Sequence, residues 1–138
     1  MTQYLLDTNV VIDLIRGKDN NVRQHILEVG VDRCAICDLT AFELLYGAYK
    51  SQNREQNLRL VHTLIDQIAV IPSSSAYELA AREKVRLQQA GHPIEDFDLL
   101  IGCTAIIDHR TLVSNNPCHI SRLTRLSRLT DLTLTDWQ

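Results

Sequence analysis

The sequence predicts an α/β fold, a short, mostly parallel sheet flanked by helices on both faces, in one domain over residues 1–138. Two observations carry this. Short apolar runs alternate along the chain with longer stretches whose apolar residues recur at helical spacing. The runs themselves do not alternate apolar with polar residues, as a strand with one wet face would, and so suit strands covered on both sides. A chain of 138 residues has material for one sizeable core and not for two.

The first run, Tyr4-Leu5-Leu6, reads as a buried strand that ends at Asp7. Val10 to Arg16 follows as a short helix stopped by Gly17, and Asn20 or Asn21 caps a second helix through Val22, Ile26 and Leu27 to Gly30. Cys34-Ala35-Ile36 is the second strand. The next helix starts at Asp38 or Thr40, with Phe42, Leu45 and Tyr49 on one stripe and Ala41, Leu44 and Ala48 alongside. After an interruption at Ser51 to Arg54, an amphipathic helix carries Leu58, Val61, Leu64 and Ile65. Ile68-Ala69-Val70-Ile71 is the third strand. Pro72 and three serines open a helix from Ala76 to Ala90, which Gly91 stops. Residues 92–97 read as a loop. From Asp98 onward the helix is apolar nearly all round, the pattern of one buried on every side. Leu112-Val113 is a fourth strand and Leu132-Thr133-Leu134 a fifth.

An apolar fraction of 45% and a charged fraction of 22% are those of an ordinary folded protein. Fourteen basic and 17 acidic residues leave a formal charge of -3, so the overall balance does not announce a nucleic-acid binder, although a local basic patch suffices to hold phosphates. No leader pattern and no run of 18 apolar residues is present, so the expectation is a non-exported, cytoplasmic protein without a membrane segment. Cys34, Cys37, Cys103 and Cys118 are too few and too scattered for a disulfide framework. Cys34 and Cys37 have redox or zinc spacing, but they bracket a strand instead of opening a helix, and read as core.

Three acids occupy equivalent places. Asp7 follows the first strand, Glu43 lies in the first turn or so of the helix after the second, and Asp98 opens the buried helix before the fourth. In a parallel sheet these places all lie at the carboxyl ends of the strands, where open α/β sheets gather their chemistry. Asp7 has a second reading, as the cap of the helix that follows. Three carboxylates brought together repel one another, and a divalent cation removes that cost. An all-oxygen set suits Mg²⁺ or Mn²⁺ better than Zn²⁺. Asn9 and Thr8 are placed to hold Asp7 or a water, or else to turn the chain and cap the helix. Ser114 and Asn115 end the fourth strand and so face the same crevice.

Here the sequence resembles a known family. Leu6-Asp7-Thr8-Asn9-Val10-Val11-Ile12 resembles the opening of PIN-domain nucleases. So do Phe42-Glu43-Leu44-Leu45-Tyr46-Gly47-Ala48, the stretch from Pro93 to Gly102, and Leu112-Val113-Ser114-Asn115-Asn116 with a closing Leu134-Thr135-Asp136-Trp137. In order and spacing these segments resemble the VapC toxins of bacterial toxin–antitoxin pairs, over essentially the whole chain. The resemblance implies a Mg²⁺- or Mn²⁺-dependent endoribonuclease with Asp7, Glu43 and Asp98 as metal-binding acids, held inactive by a VapB-like antitoxin. Hydrolysis by in-line attack of water would leave a 5′-phosphate and a 3′-hydroxyl. The competing readings are a catalytically weakened RNA- or protein-binding module and a nuclease acting on DNA.

One departure from the family stands out. Its members carry a fourth acid shortly after the two asparagines, supporting a second metal or a water; this chain has His119 there. Asp96, two residues before Asp98, is a candidate substitute or a solvated loop acid. Arg110 and the arginines of a thrice-repeated triplet, Arg122, Arg125 and Arg128, form the main cationic concentration and are candidate phosphate contacts. Phe42, Leu45, Tyr46 and Tyr49 exceed what so small an interior needs, and the surplus predicts a homodimer and a groove for the antitoxin. The two tyrosines, at helical spacing, read as core or partner-groove residues and not as base-stacking ones. Trp137 reads as a terminal anchor.

Overall fold

A computed structural model describes residues 1–17, 20–115 and 132–137. Five parallel strands form one sheet in the order β3-β2-β1-β4-β5: β1 (Tyr4–Leu6), β2 (Cys34–Cys37), β3 (Ala69–Ile71), β4 (Thr111–Val113) and β5 (Leu134–Thr135). The helices are α1 (Thr8–Arg16), α2 (Asn20–Val29), α3 (Asp38–Lys50), α4 (Arg54–Gln67), α5 (Tyr77–Gln89) and α6 (Asp96–Ile107). The chain starts at the sheet centre, lays β2 and β3 to one side of β1, then crosses to lay β4 and β5 on the other. That reversal beside β1 is where a crevice opens at the carboxyl ends of the strands.

Successive side chains of a strand point to opposite faces, and the two cores divide accordingly. Leu5, Ala35, Cys37 and Leu112 pack with Ala80 and Leu87 of α5 and Leu99, Ile101, Cys103 and Ala105 of α6. Leu6, Cys34, Ile36 and Val113 pack on the other face with Val10, Val11, Val22, Leu44, Ala48 and Val61 from the first four helices. Both faces are covered, as the uninterrupted apolar runs require. The exception is β3, an edge strand whose Ala69 and Val70 are exposed; it needs only one covered side. Among the described residues no helix is long and apolar enough to cross a membrane.

Several boundaries differ from the sequence reading, each for a local reason. Helix α1 begins at Thr8 and not at Val10, because Asp7 itself caps it and Asp7 O accepts from Val10 N and Val11 N. Helix α6 begins at Asp96 and not at Asp98, with Glu95 as its cap and Leu99 N bonded back to Glu95 O. On α3 the inward stripe is Thr40, Leu44 and Ala48, while Phe42, Tyr46 and Tyr49 face outward. Leu44 and Ala48 join the core beside Val10, Val11 and Val61, and the aromatic side chains stay outside. Gly17 (φ 66°) and Gly91 (φ 75°) take the left-handed conformation that stops α1 and turns the chain after α5, as the sequence predicts. Trp137 is buried against Tyr4 (centroids 4.9 Å apart) and stacks on His25 (5.3 Å), the terminal anchor expected.

Candidate active site

Asp7 sits one residue beyond β1, with its backbone N–H still bonded to Val113 O at 2.9 Å. The ladder thus carries the carboxylate to the end of the central strand before α1 turns away. Its side chain is almost wholly buried. Oδ1 accepts from Thr8 N at 2.8 Å, and Oδ2 accepts from Ser114 Oγ at 3.0 Å. Both readings of Asp7 are therefore true together: it caps α1, and it stands at the crevice. The positive end of the α1 dipole favours its charge.

Glu43 is the sixth residue of α3, in the first turn or so as expected but past the strongest reach of that helix's dipole. Its support is a side chain instead. Thr8 Oγ1 donates to Glu43 Oε1 at 2.7 Å, and Thr8 and Thr40 hydroxyls lie 3.0 Å apart. An ionised carboxylate only accepts, so the single Thr8 proton goes to Glu43 and the Thr40 proton goes to Thr8. Sequence reasoning missed Thr40, having read it only as a possible helix start. The signal was there in hindsight: a threonine three residues before an acid, on its inner side, in a helix that needs no cap there.

Asp98 stands in the first turn of α6, where the helix dipole favours a carboxylate. Asp7, Glu43 and Asp98 all line one cavity of about 660 Å³, with Thr8 and Asn9 in its wall. Two cations share that wall, Arg16 at the end of α1 and Lys50 at the end of α3, and neither was singled out from sequence. Among the described residues neither histidine nor cysteine lines it. The donor set among the described residues is all oxygen, which fits a hard divalent cation. Among the described residues no three carboxylate, imidazole or thiol groups form a ready-made cation site, so the three acids share a wall and not yet a common point.

The other candidates separate. Ser114 is fully buried and holds Asp7. Asn115 turns its Oδ1 to Trp137 N at 3.0 Å, tying down the end of the chain. Asp96 pairs with Lys84 at 2.8 Å and is not among the residues lining the acid cavity, despite its place in the same helical turn as Asp98. Arg110 lies at the opposite end of the sheet, just before β4. There its guanidinium binds Asp108 (2.6 Å) and the carbonyls of Tyr4 (3.3 Å) and Arg33 (3.5 Å). It ties strand beginnings together and does not face the acids, contrary to the phosphate-contact expectation. His119, Arg122, Arg125 and Arg128 lie outside the described residues. Cys34 and Cys37 are buried, and burial pushes both thiols up to about 11, the reverse of what redox or zinc chemistry needs.

Comparison with known proteins converges with this geometry. The PIN domain family model matches residues 4–125. A tRNA(fMet)-specific endonuclease VapC of Shigella flexneri is 30% identical over 124 residues, covering 89% of this chain and 93% of that protein. Ribonuclease VapC1 of Haemophilus influenzae is 29% identical over 136 residues, covering 97% of each. Among solved structures, the DNA-bound VapBC of Salmonella typhimurium aligns at a TM-score of 0.84 and 27% identity over 100% of both chains. VapBC2 of Rickettsia felis, bound to a promoter DNA fragment, aligns at 0.82 and 28% identity over 99% of this chain and 100% of that one. The chain belongs to the PIN-domain family and, within it, to the VapC-type toxins.

Proposed function

We propose that this protein is an endoribonuclease toxin that hydrolyses RNA phosphodiesters with Mg²⁺ or Mn²⁺, and that a VapB-like antitoxin neutralises it. The carrying observation is the meeting of Asp7, Glu43 and Asp98, from three separate elements, on one cavity at the carboxyl ends of the strands in a VapC-type chain. Asp7 and Asp98 are the primary metal ligands on this reading, and Glu43 is the third ligand or the group that orients the attacking water. The ion, when bound, offsets the charge of the acids and of the phosphate and favours ionisation of water. Ser114 and Thr8 fix the two oxygens of Asp7, and Thr8 with Thr40 fixes Glu43, so the chain supplies its acids in set orientations. Among the described residues no histidine lines the cavity to drive attack by a 2′-hydroxyl. The expected products therefore carry a 5′-phosphate and a 3′-hydroxyl.

A cytoplasmic setting follows from an RNA substrate. The solved relatives above are VapBC complexes, which supports an antitoxin partner here, and we extend the proposal to a homodimer as the working unit. The test is cleavage of a mixed RNA pool by antitoxin-free protein in Mg²⁺ against EDTA. Metal-dependent cleavage that Asp7→Asn abolishes supports the enzyme. No cleavage with any divalent ion makes the chain a binding module instead, and cleavage of single-stranded DNA in preference to RNA makes it a DNA nuclease.

A further inference from the structure

Among the described residues none beyond Asp98 lines the acid cavity, yet the end of the chain is joined to Asp7 through Ser114. Strand β5 has only two residues and forms the sheet edge beside β4. A ladder that short holds poorly by itself. Its flanks hold it instead. Leu132 is buried in the core on one face of the sheet and Trp137 in the core on the other, so the strand is drawn between two anchors. Three bonds then tie it to β4 and the residues after it. Leu112 N–H donates to Thr133 O at 2.9 Å, Ser114 N–H to Thr135 O at 3.0 Å, and Trp137 N–H to Asn115 Oδ1 at 3.0 Å. The third continues the ladder past the end of β4 through a side chain. Ser114 is thus clasped at its own backbone and at the residue after it, and its buried hydroxyl donates to Asp7 Oδ2 at 3.0 Å.

Resting on the ribonuclease reading, we propose that Trp137 and Asn115 are positioning residues for the reaction, holding Ser114 where its hydroxyl sets Asp7 Oδ2. The indole makes the clasp firm. It is 5% exposed, meets the ring of Tyr4 edge to face and stacks on His25 of α2, so it grips β1 and α2 together. The tolerance at the other end is narrow, because an O–H···O bond weakens steeply with a small displacement of either partner. If Ser114 drifts, Oδ1 of Asp7 stays on Thr8 N but Oδ2 loses its setting. Losing the partner that orients a metal-binding acid costs about 10–100-fold in metal affinity or activity. The clasp lies outside the cavity wall, so it bears on metal affinity and on the chemical step and not on RNA binding.

The test compares Trp137→Ala, Trp137→Phe, Asn115→Ala and Ser114→Ala by calorimetric Mn²⁺ titration and by single-turnover cleavage. Trp137→Ala, Asn115→Ala and Ser114→Ala should each lower Mn²⁺ affinity and cleavage rate about tenfold, with RNA affinity unchanged. Trp137→Phe, which keeps a ring against Tyr4 and His25, should retain most of both. In the Ser114→Ala background, Asn115→Ala should cost less than about a further twofold, because the clasp acts through the serine. Trp137 is the chain's single tryptophan, so its emission reports the anchor directly. That emission should move to longer wavelength in Asn115→Ala and stay unchanged in Ser114→Ala. Should Trp137→Ala fail to fold, Asn115→Ala carries the same comparison. Wild-type Mn²⁺ affinity and rate in Asn115→Ala, or fully additive losses in the double variant, overturn the clasp while leaving the ribonuclease standing. A wild-type protein that neither binds Mn²⁺ nor cleaves RNA overturns both readings together.

Discussion

Thr8 joins two of the three acids: its backbone N–H bonds Asp7 and its hydroxyl bonds Glu43, 35 positions away. One residue thereby sets the relation between the first carboxylate and the second. The hydroxyl's only proton is committed to Glu43, and its lone pair takes the proton of the fully buried Thr40. Thr8→Val should lower single-turnover cleavage about tenfold to a hundredfold, the usual cost of losing a group that orients a metal-site acid. It should also cost about 1–3 kcal/mol in urea unfolding, because a part-buried hydrogen bond to a carboxylate is lost and the buried Thr40 hydroxyl loses its acceptor. Thr8→Ser should restore most of both. A loss in Thr8→Ser with none in Thr8→Val would mean that the methyl group, and not the hydroxyl, is what matters.

Asp7 separates folding from chemistry when two substitutions are compared. Asparagine keeps an oxygen for Thr8 N and an amide beside Ser114 Oγ, and it is itself a good helix cap. Asp7→Asn should leave the unfolding midpoint nearly unchanged while cleavage falls more than about a hundredfold. Asp7→Ala should lose the cleavage and also about 0.5–2 kcal/mol of stability, the value of a cap. Circular dichroism melts of both variants beside rate measurements on one RNA would check this.

Metal affinity is read without turnover. The wild-type protein should bind Mn²⁺ in calorimetric titration, and Asp98→Asn should lose most of that binding while remaining folded, since one charged oxygen leaves a set of three. Undiminished binding in the variant would place the ion elsewhere.

The buried thiols give a pH dependence whose sign is fixed. Burial raises Cys34 and Cys37 from an ordinary 9.0 to about 11, and Cys103 to about 12. In the unfolded chain these thiols ionise near 9 while the folded chain still holds their protons. Their contribution to stability is thus complete below pH 9 and declines as pH rises toward 11. Urea midpoints should fall between pH 8 and pH 10, with a shallower fall in Cys34→Ala. At pH 8, iodoacetamide should leave all three unlabelled in the native protein and label them after denaturation, as peptide mass mapping would show.

How much of this was legible in the sequence differs residue by residue. Asp7, Glu43 and Asp98 could be expected to share one cavity, as they do, because a parallel sheet sends the end of every strand to the same side. The two cores were legible for the same reason, since an unbroken apolar run has only one stable setting. Arg110 was misread because charge says nothing about which end of a strand a side chain guards; the carbonyls that hold it come from Tyr4 and Arg33, distant in sequence. Phe42 and Tyr46 are exposed, in keeping with the expected surplus of apolar residues over so small an interior, while Leu44 and Ala48, expected beside their stripe, face the core. Thr40 and Lys50 became visible only when α1 and α3 were set side by side.

The hydrogen bond from Ser114 to Asp7 closes a loop of 107 residues, and β1 pairs on that side only with β4. A ribosome adds residues at about 5–20 per second, so roughly 5–20 s pass between the synthesis of the aspartate and that of its serine. Throughout that interval Asp7 has Thr8 beside it for one oxygen but lacks the serine that holds the other. The earliest carboxylate is therefore the last to be set, and the order in which the strands are made acts as a clock that delays the finished site until nearly the whole domain has been translated.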